Sequence, residues 1–104
     1  MPTEDAIFRA LADPSRRAIF VRLANGEAPV RDLTAHFKIS QPAVSQHLAA
    51  LKRAGMVLER KEGRMVHYRV KKDAMRPLVD WIALYQAFWP ERVDRLKALL
   101  DRMD

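Results

Sequence analysis

The sequence has no cysteine. That excludes disulfides, thiolate metal ligands and thiol redox chemistry. Only three glycines occur in 104 residues, and none forms part of a Gly-rich phosphate loop. The H-E-x-x-H and G-x-S-x-G patterns are missing as well. Ser45 and His47 lie two residues apart, so they cannot face each other on one helix. The chain is therefore not read as an enzyme, and no cofactor is expected. No stretch approaches the ~20 apolar residues of a membrane span. The N-terminal MPTEDAIFRA has no basic segment leading into an apolar one, so no secretory signal is expected and the chain reads as cytoplasmic. Linkers, repeats and low-complexity runs are also missing, which predicts a single domain over residues 1–104.

Charge is plentiful but uneven. The net charge is +6 and the sequence pI about 10.2. Residues 38–72 carry nine Lys/Arg against two acids, a local excess of +7, and the remaining residues sum to −1. A basic excess confined to one segment is the footprint of a phosphate binder.

That segment also carries the most specific pattern, KISQPAVSQHLAALKRAG. Ser40 is an N-cap candidate. Val44, Leu48 and Leu51 share one helical face and predict the buried side. Gly55 is placed to end the helix. The opposite face and the first turn offer Ser40, Gln41, Pro42, Ala43, Ser45, Gln46 and His47 as candidate DNA contacts. Gln pairs with adenine edges, Ser reaches a base or a phosphate, and Ala permits close approach; His47 is expected against the DNA backbone. Just before it, VRDLTAHFK (Val30–Lys38) predicts a short helix with Val30, Leu33 and Phe37 on one side, and Ile39 in the turn plugs the angle between the two helices. After it, Val57–Lys61 and Met65–Val70 predict two strands around Glu62-Gly63-Arg64, with Gly63 supplying a positive φ. Arg60, Lys61 and Arg64 are its candidate phosphate or minor-groove contacts. A helix-turn-helix followed by a basic hairpin is a winged helix. The expected fold is mainly α with a small β-hairpin wing (α+β), dimeric.

Upstream, Thr3 is placed to cap a helix over about Glu4–Ala12. Asp13-Pro14 reads as N-cap and first position of a second helix through Ala24. Arg16 and Arg17 sit in that helix's first turn, against its dipole; they either touch DNA or pair with acids elsewhere, and the pairing with acids is the main reading. Ala28-Pro29-Val30 allows only one short edge pairing. The last third is helical, with Asp73 as an N-cap candidate. Pro90 either kinks this helix or begins a new one.

The residues LADPSRRAIF and SQPAVSQHLAALKRAGMV, within a stretch from about Ile7 to Val70, resemble the ArsR/SmtB family of small winged-helix repressors. The resemblance implies dimerisation through the first and last helices, here about 4–12 and 73–103. Ile7, Phe8, Leu11, Trp81, Tyr85, Phe88, Trp89 and Leu96 are the interface candidates. Intrachain core and an apolar ligand pocket are the other readings of this aromatic tail. The family's metal sensors carry a thiolate pair around the valine before the third helix, where this chain has Pro29 and Arg31, neither able to ligate. Their alternative site on the last helix uses histidine. Asp80, Glu91 and Asp94 occur there without one, and His36, His47 and His67 fall on different elements. No metal site is expected. The functional expectation is a homodimeric, metal-independent repressor on a pseudo-palindromic operator, its effector unknown. The alternatives are a winged-helix protein-interaction module and a repressor that senses an apolar ligand between its last helices.

Overall fold

Thr3 Oγ1 accepts from the Ala6 N–H at 3.3 Å and opens α1 (Glu4–Ala12). Asp13 accepts from the Arg16 N–H at 3.0 Å and opens α2 (Pro14–Ala24). Each cap satisfies an N–H that has no partner within its own helix. The backbone bond from Arg16 is the main cause that holds the Asp13 carboxyl below its ordinary value. The Arg16 and Arg17 guanidinium groups reach back to α1, donating to the Ala10 and Leu11 carbonyls at 3.4 and 2.7 Å. Cations at the α1 C-terminus complement its dipole, which explains two arginines at a helix start that would otherwise disfavour them.

The computed structural model describes residues 3–88 and 90–102, with the side chains of 86–93 and 96 outside that set. After α2 come β1 (Ala28–Pro29), α3 (Val30–Phe37), α4 (Gln41–Arg53), β2 (Val57–Glu62), β3 (Met65–Val70), α5 (Arg76–Phe88) and α6 (Pro90–Arg102). The three strands form an antiparallel sheet in the order β1-β3-β2. In β1, Ala28 pairs with Tyr68 and Pro29 with His67; in β2, Arg60 pairs with His67 and Glu59 with Tyr68. Gly63, at φ +60°, makes the hairpin turn. The end of α4 follows a Schellman pattern: Gly55 has φ +76°, its N–H donates to the Lys52 carbonyl, and the Met56 N–H donates to the Leu51 carbonyl.

The core joins α1 to α4 and the sheet. Ile7, Ile19, Leu33, Val44, Leu48, Leu51, Met56 and Val57 are fully buried, with Leu23 and Tyr68 beside them. Each fully buried aliphatic side chain contributes about 1.5–3 kcal/mol. Ile39 packs against this core from the α3–α4 turn.

Three expectations need correction. Ile7, a candidate for the dimer interface, has no exposed area; it faces into its own protomer, and its neighbour Phe8 carries the outward face. Asp73 does not cap a helix. It adopts φ +61° in a turn in which the Ala74 N–H donates to the Lys71 carbonyl, and α5 starts three residues later. The third helix stops at Phe37, because Lys38 turns left-handed at φ +56°. At Pro90, the chain starts a new helix.

Candidate nucleic-acid interface

Helix α4 is held on three sides. Val44, Leu48 and Leu51 face the core. Ala43, His47 and Ala50 form a half-buried flank, and His47 lies near enough to Asp13 at the start of α2 to favour its ionised form. Gln41 and Ser45 face the hairpin across a groove, and Lys52, a further turn along, pairs with Glu59 of β2 at 3.7 Å. The fourth side carries Pro42, Gln46 and Arg53, all exposed. A helix fixed this way presents a polar edge at a constant angle.

The groove measures about 730 Å³. Arg31, Thr34 and Ala35 of α3 form one wall, Gln41 and Ser45 of α4 the next, and Glu59, Arg64, Met65 and Val66 of the wing the third. Guanidinium groups at two rims, Arg31 and Arg64, leave it open to an anionic backbone. The Tyr68 hydroxyl donates to Glu59 at 2.8 Å. Together with the Lys52 pair, it ties both wing strands to the recognition helix.

The expected contact residues divide by geometry. Ser40 is exposed, and its Oγ accepts from the Ala43 N–H at 3.2 Å. That cap uses a lone pair and leaves the hydroxyl proton for another acceptor. Gln41, Pro42, Ser45 and Gln46 are exposed at or near the helix start, and Ala43 is half-buried. Lys61 and Arg64 are exposed on the wing. His47 and Arg60 are placed differently from the sequence reading. His47 turns toward α2, and its Nδ1 is buried without a hydrogen-bond partner. Strand alternation puts Arg60 on the face opposite Glu59 and Lys61, away from the groove. There its Nε donates to Glu27 at 2.8 Å and its Nη1 to Glu62 at 3.0 Å, and these pairs stabilise its charged form.

Arg31, Thr34 and the Lys52–Glu59 pair were not among the sequence candidates. Arg31 and Thr34 lie three residues apart on the side of α3 away from Leu33, so the polar complement of the buried stripe was the signal for them. Nothing local pairs Lys52 with Glu59.

On the α1 and α5 side, Phe8 is 45% and Trp81 42% exposed. Their rings meet edge to face at 5.7 Å, and Trp81 stacks on Tyr85 at 5.7 Å. Leu11 is half-buried against the core. The side chains of Phe88 and Leu96, and Trp89 as a whole, lie outside the described residues. Among the described residues no cluster of three or more His, Asp or Glu could hold a metal ion, and no helix is long and apolar enough to cross a membrane.

A family model described as bacterial regulatory protein, arsR family, matches residues 13–58. The transcriptional repressor SdpR of Bacillus subtilis (strain 168) is 32% identical over 76 residues, which cover 73% of this chain and 84% of that protein. The chain belongs to the ArsR family. This ArsR family chain matches the crystal structure of the ArsR family transcriptional regulator RHA00566 with a TM-score of 0.76 at 33% identity, over 84% of this chain and 90% of that one. It also matches the homodimeric winged helix-turn-helix DNA-binding domain of Mb0332 from Mycobacterium bovis, with a TM-score of 0.65 at 33% identity over 76% of each chain. The fold is thus a winged helix-turn-helix, and the protein is a non-enzymatic, DNA-binding transcription regulator.

Proposed function

We propose that this ArsR family chain is a homodimeric repressor that occludes a promoter by binding a pseudo-palindromic operator. The observation that carries the reading is the exposed polar start of α4, fixed by packing on its other sides and bordered by a groove with arginines at its rims. Gln41, Ser45 and Gln46 read base edges in the major groove, with Pro42 and Ala43 allowing close approach. Ser40, Arg31, Lys61 and Arg64 hold the phosphate backbone. Two copies joined through α1, α5 and α6 place their α4 helices about one turn, ~34–36 Å, apart. The exposed Phe8 and Trp81 rings and the homodimeric state of the Mb0332 domain support this pairing. The printed role of SdpR supports repression. The chain spans one domain and works in the cytoplasm, where its DNA lies.

Release does not depend on a metal. The chain has no cysteine, and Pro29 and Arg31 stand where ligands would be needed. The deciding experiment is selection of bound fragments from random DNA, followed by titration at several salt concentrations. If each subunit neutralises three to five phosphates, roughly 6–10 counterions leave, and affinity falls ~10³–10⁵ between 50 and 200 mM salt. A flat salt response would instead favour a protein-interaction module.

A further inference from the structure

The outer face of the wing holds a charge cluster that DNA reading does not use. Glu27, just before β1, and Glu62, at the end of β2, both accept from Arg60, at 2.8 and 3.0 Å. His67, the cross-strand partner of Arg60, lies beside the same two carboxylates. Its Nδ1 is 3.9 Å from Glu27 and its Nε2 3.6 Å from Glu62, and its side chain is only 16% exposed. Arg69 lies two residues along on the same face of β3. From α2, Arg22 donates to the Gly26 carbonyl beside Glu27.

Both imidazole nitrogens thus face a carboxylate. A neutral imidazole has one donor and one acceptor, so one nitrogen must turn a lone pair toward an anion. Only imidazolium donates to both. With His67 neutral, the two glutamates and Arg60 sum to −1; protonation brings the cluster to zero and adds a second cation that competes for both carboxylates.

We infer that His67 is a proton-operated latch on the wing, which on protonation takes over Glu27 and Glu62 and frees Arg60 for the DNA phosphates. With His67 neutral, Arg60 is held by both carboxylates. On protonation, the imidazolium competes for both carboxylates and Arg60, exposed and long, swings to the nearest phosphate. The ligand is the proton, and the readout is operator affinity. Because the DNA complex then binds more protons than the free protein, affinity rises as pH falls.

The inference rests on the operator-binding reading, and two measurements on the full chain separate them. The first is titration of the selected DNA at pH 7.5, 6.5 and 5.5 and constant ionic strength. Wild type should tighten by about three- to tenfold per subunit. His67→Gln and Arg60→Gln should each lose most of that gain, while Glu27→Gln should bind tightly already at pH 7.5. Any pH dependence common to wild type and all three variants is background. The second measurement needs no DNA: the NMR signal of the Arg60 Nε–H should move between pH 7.5 and 5.5 in wild type and stay fixed in His67→Gln. Full pH dependence retained in His67→Gln or in Arg60→Gln, or an Arg60 signal indifferent to pH, would overturn the latch. Failure to bind any selected DNA would overturn the operator reading, with the Arg60 signal still deciding the latch.

Discussion

Tyr68 and Glu59 stand opposite each other on β3 and β2, and the phenol donates to the carboxylate at 2.8 Å. Burial first, and this bond second, push the phenol up to about 12. The same bond is the main cause that holds the Glu59 carboxyl below its ordinary value. A phenol raised in the folded state stabilises fully below its unfolded value near 10 and loses that contribution as pH rises toward 12. The lowered carboxyl stabilises above ~4.3 and loses its contribution as pH falls through the folded value. Tyr68→Phe should cost about 1 kcal/mol at pH 7. In urea unfolding followed by circular dichroism, the gap between wild type and Tyr68→Phe should close from pH 10 to 12 and also at strongly acid pH. A constant gap across both ranges would mean the bond does not form.

Gln46 and Arg64 should separate specificity from affinity. Gln46 projects from the exposed side of α4 and Arg64 from the wing tip. Gln46→Ala should cost ~1–3 kcal/mol on the preferred operator and little on random DNA, whereas Arg64→Ala should weaken both alike and lower the salt slope by about one. Equal losses from Gln46→Ala on both DNAs would remove it from the base-reading set.

Lys38 adopts φ +56° at the α3–α4 turn, a conformation that costs a side-chain residue about 1–2 kcal/mol. Lys38→Gly removes that strain but loosens the unfolded chain, so a net gain of up to ~1 kcal/mol in denaturant unfolding is expected. Destabilisation would show that Lys38 makes a contact worth more than the strain.

The exposed rings on α1 and α5 set the fourth expectation. If Trp81 lies in a dimer interface, Trp81→Ala should shift sedimentation toward monomer at micromolar concentration, with DNA affinity falling far more on a two-site operator than on a half-site. A variant that remains fully dimeric would place the interface elsewhere.

Metal addition gives the fifth. Zn²⁺ or arsenite at micromolar levels should leave operator binding unchanged, as should a chelator. Stoichiometric zinc coupled to DNA release would overturn the metal-independent reading.

Much of the fold was legible because its signals are local. Thr3, Asp13 and Ser40 cap the helices they precede, the Val44–Leu48–Leu51 stripe is buried, and Gly63 turns the hairpin. What was illegible depends on register and on which flank of an element meets a neighbour. Arg60 and Glu27 are 33 residues apart, and only the pairing of β1 and β2 onto β3 brings them together, so Arg60 read as a free wing cation. Ile7 and Phe8 are adjacent apolar residues, and helix rotation alone decides which one is core. His47 lies beside the buried stripe, and the approach of α2, invisible in the α4 sequence, draws it inward. Asp73 has the residue type of a cap but a left-handed backbone, a choice made by the turn leaving β3.

The strand order β1-β3-β2 leaves both rims of the sheet exposed, and each is defended. On one rim, Pro29 has no N–H to offer an incoming strand. On the other, β2 runs Glu59-Arg60-Lys61-Glu62, four consecutive ionisable side chains that an added strand would have to desolvate. Fibril-like growth by strand addition is therefore disfavoured at both edges of this sheet.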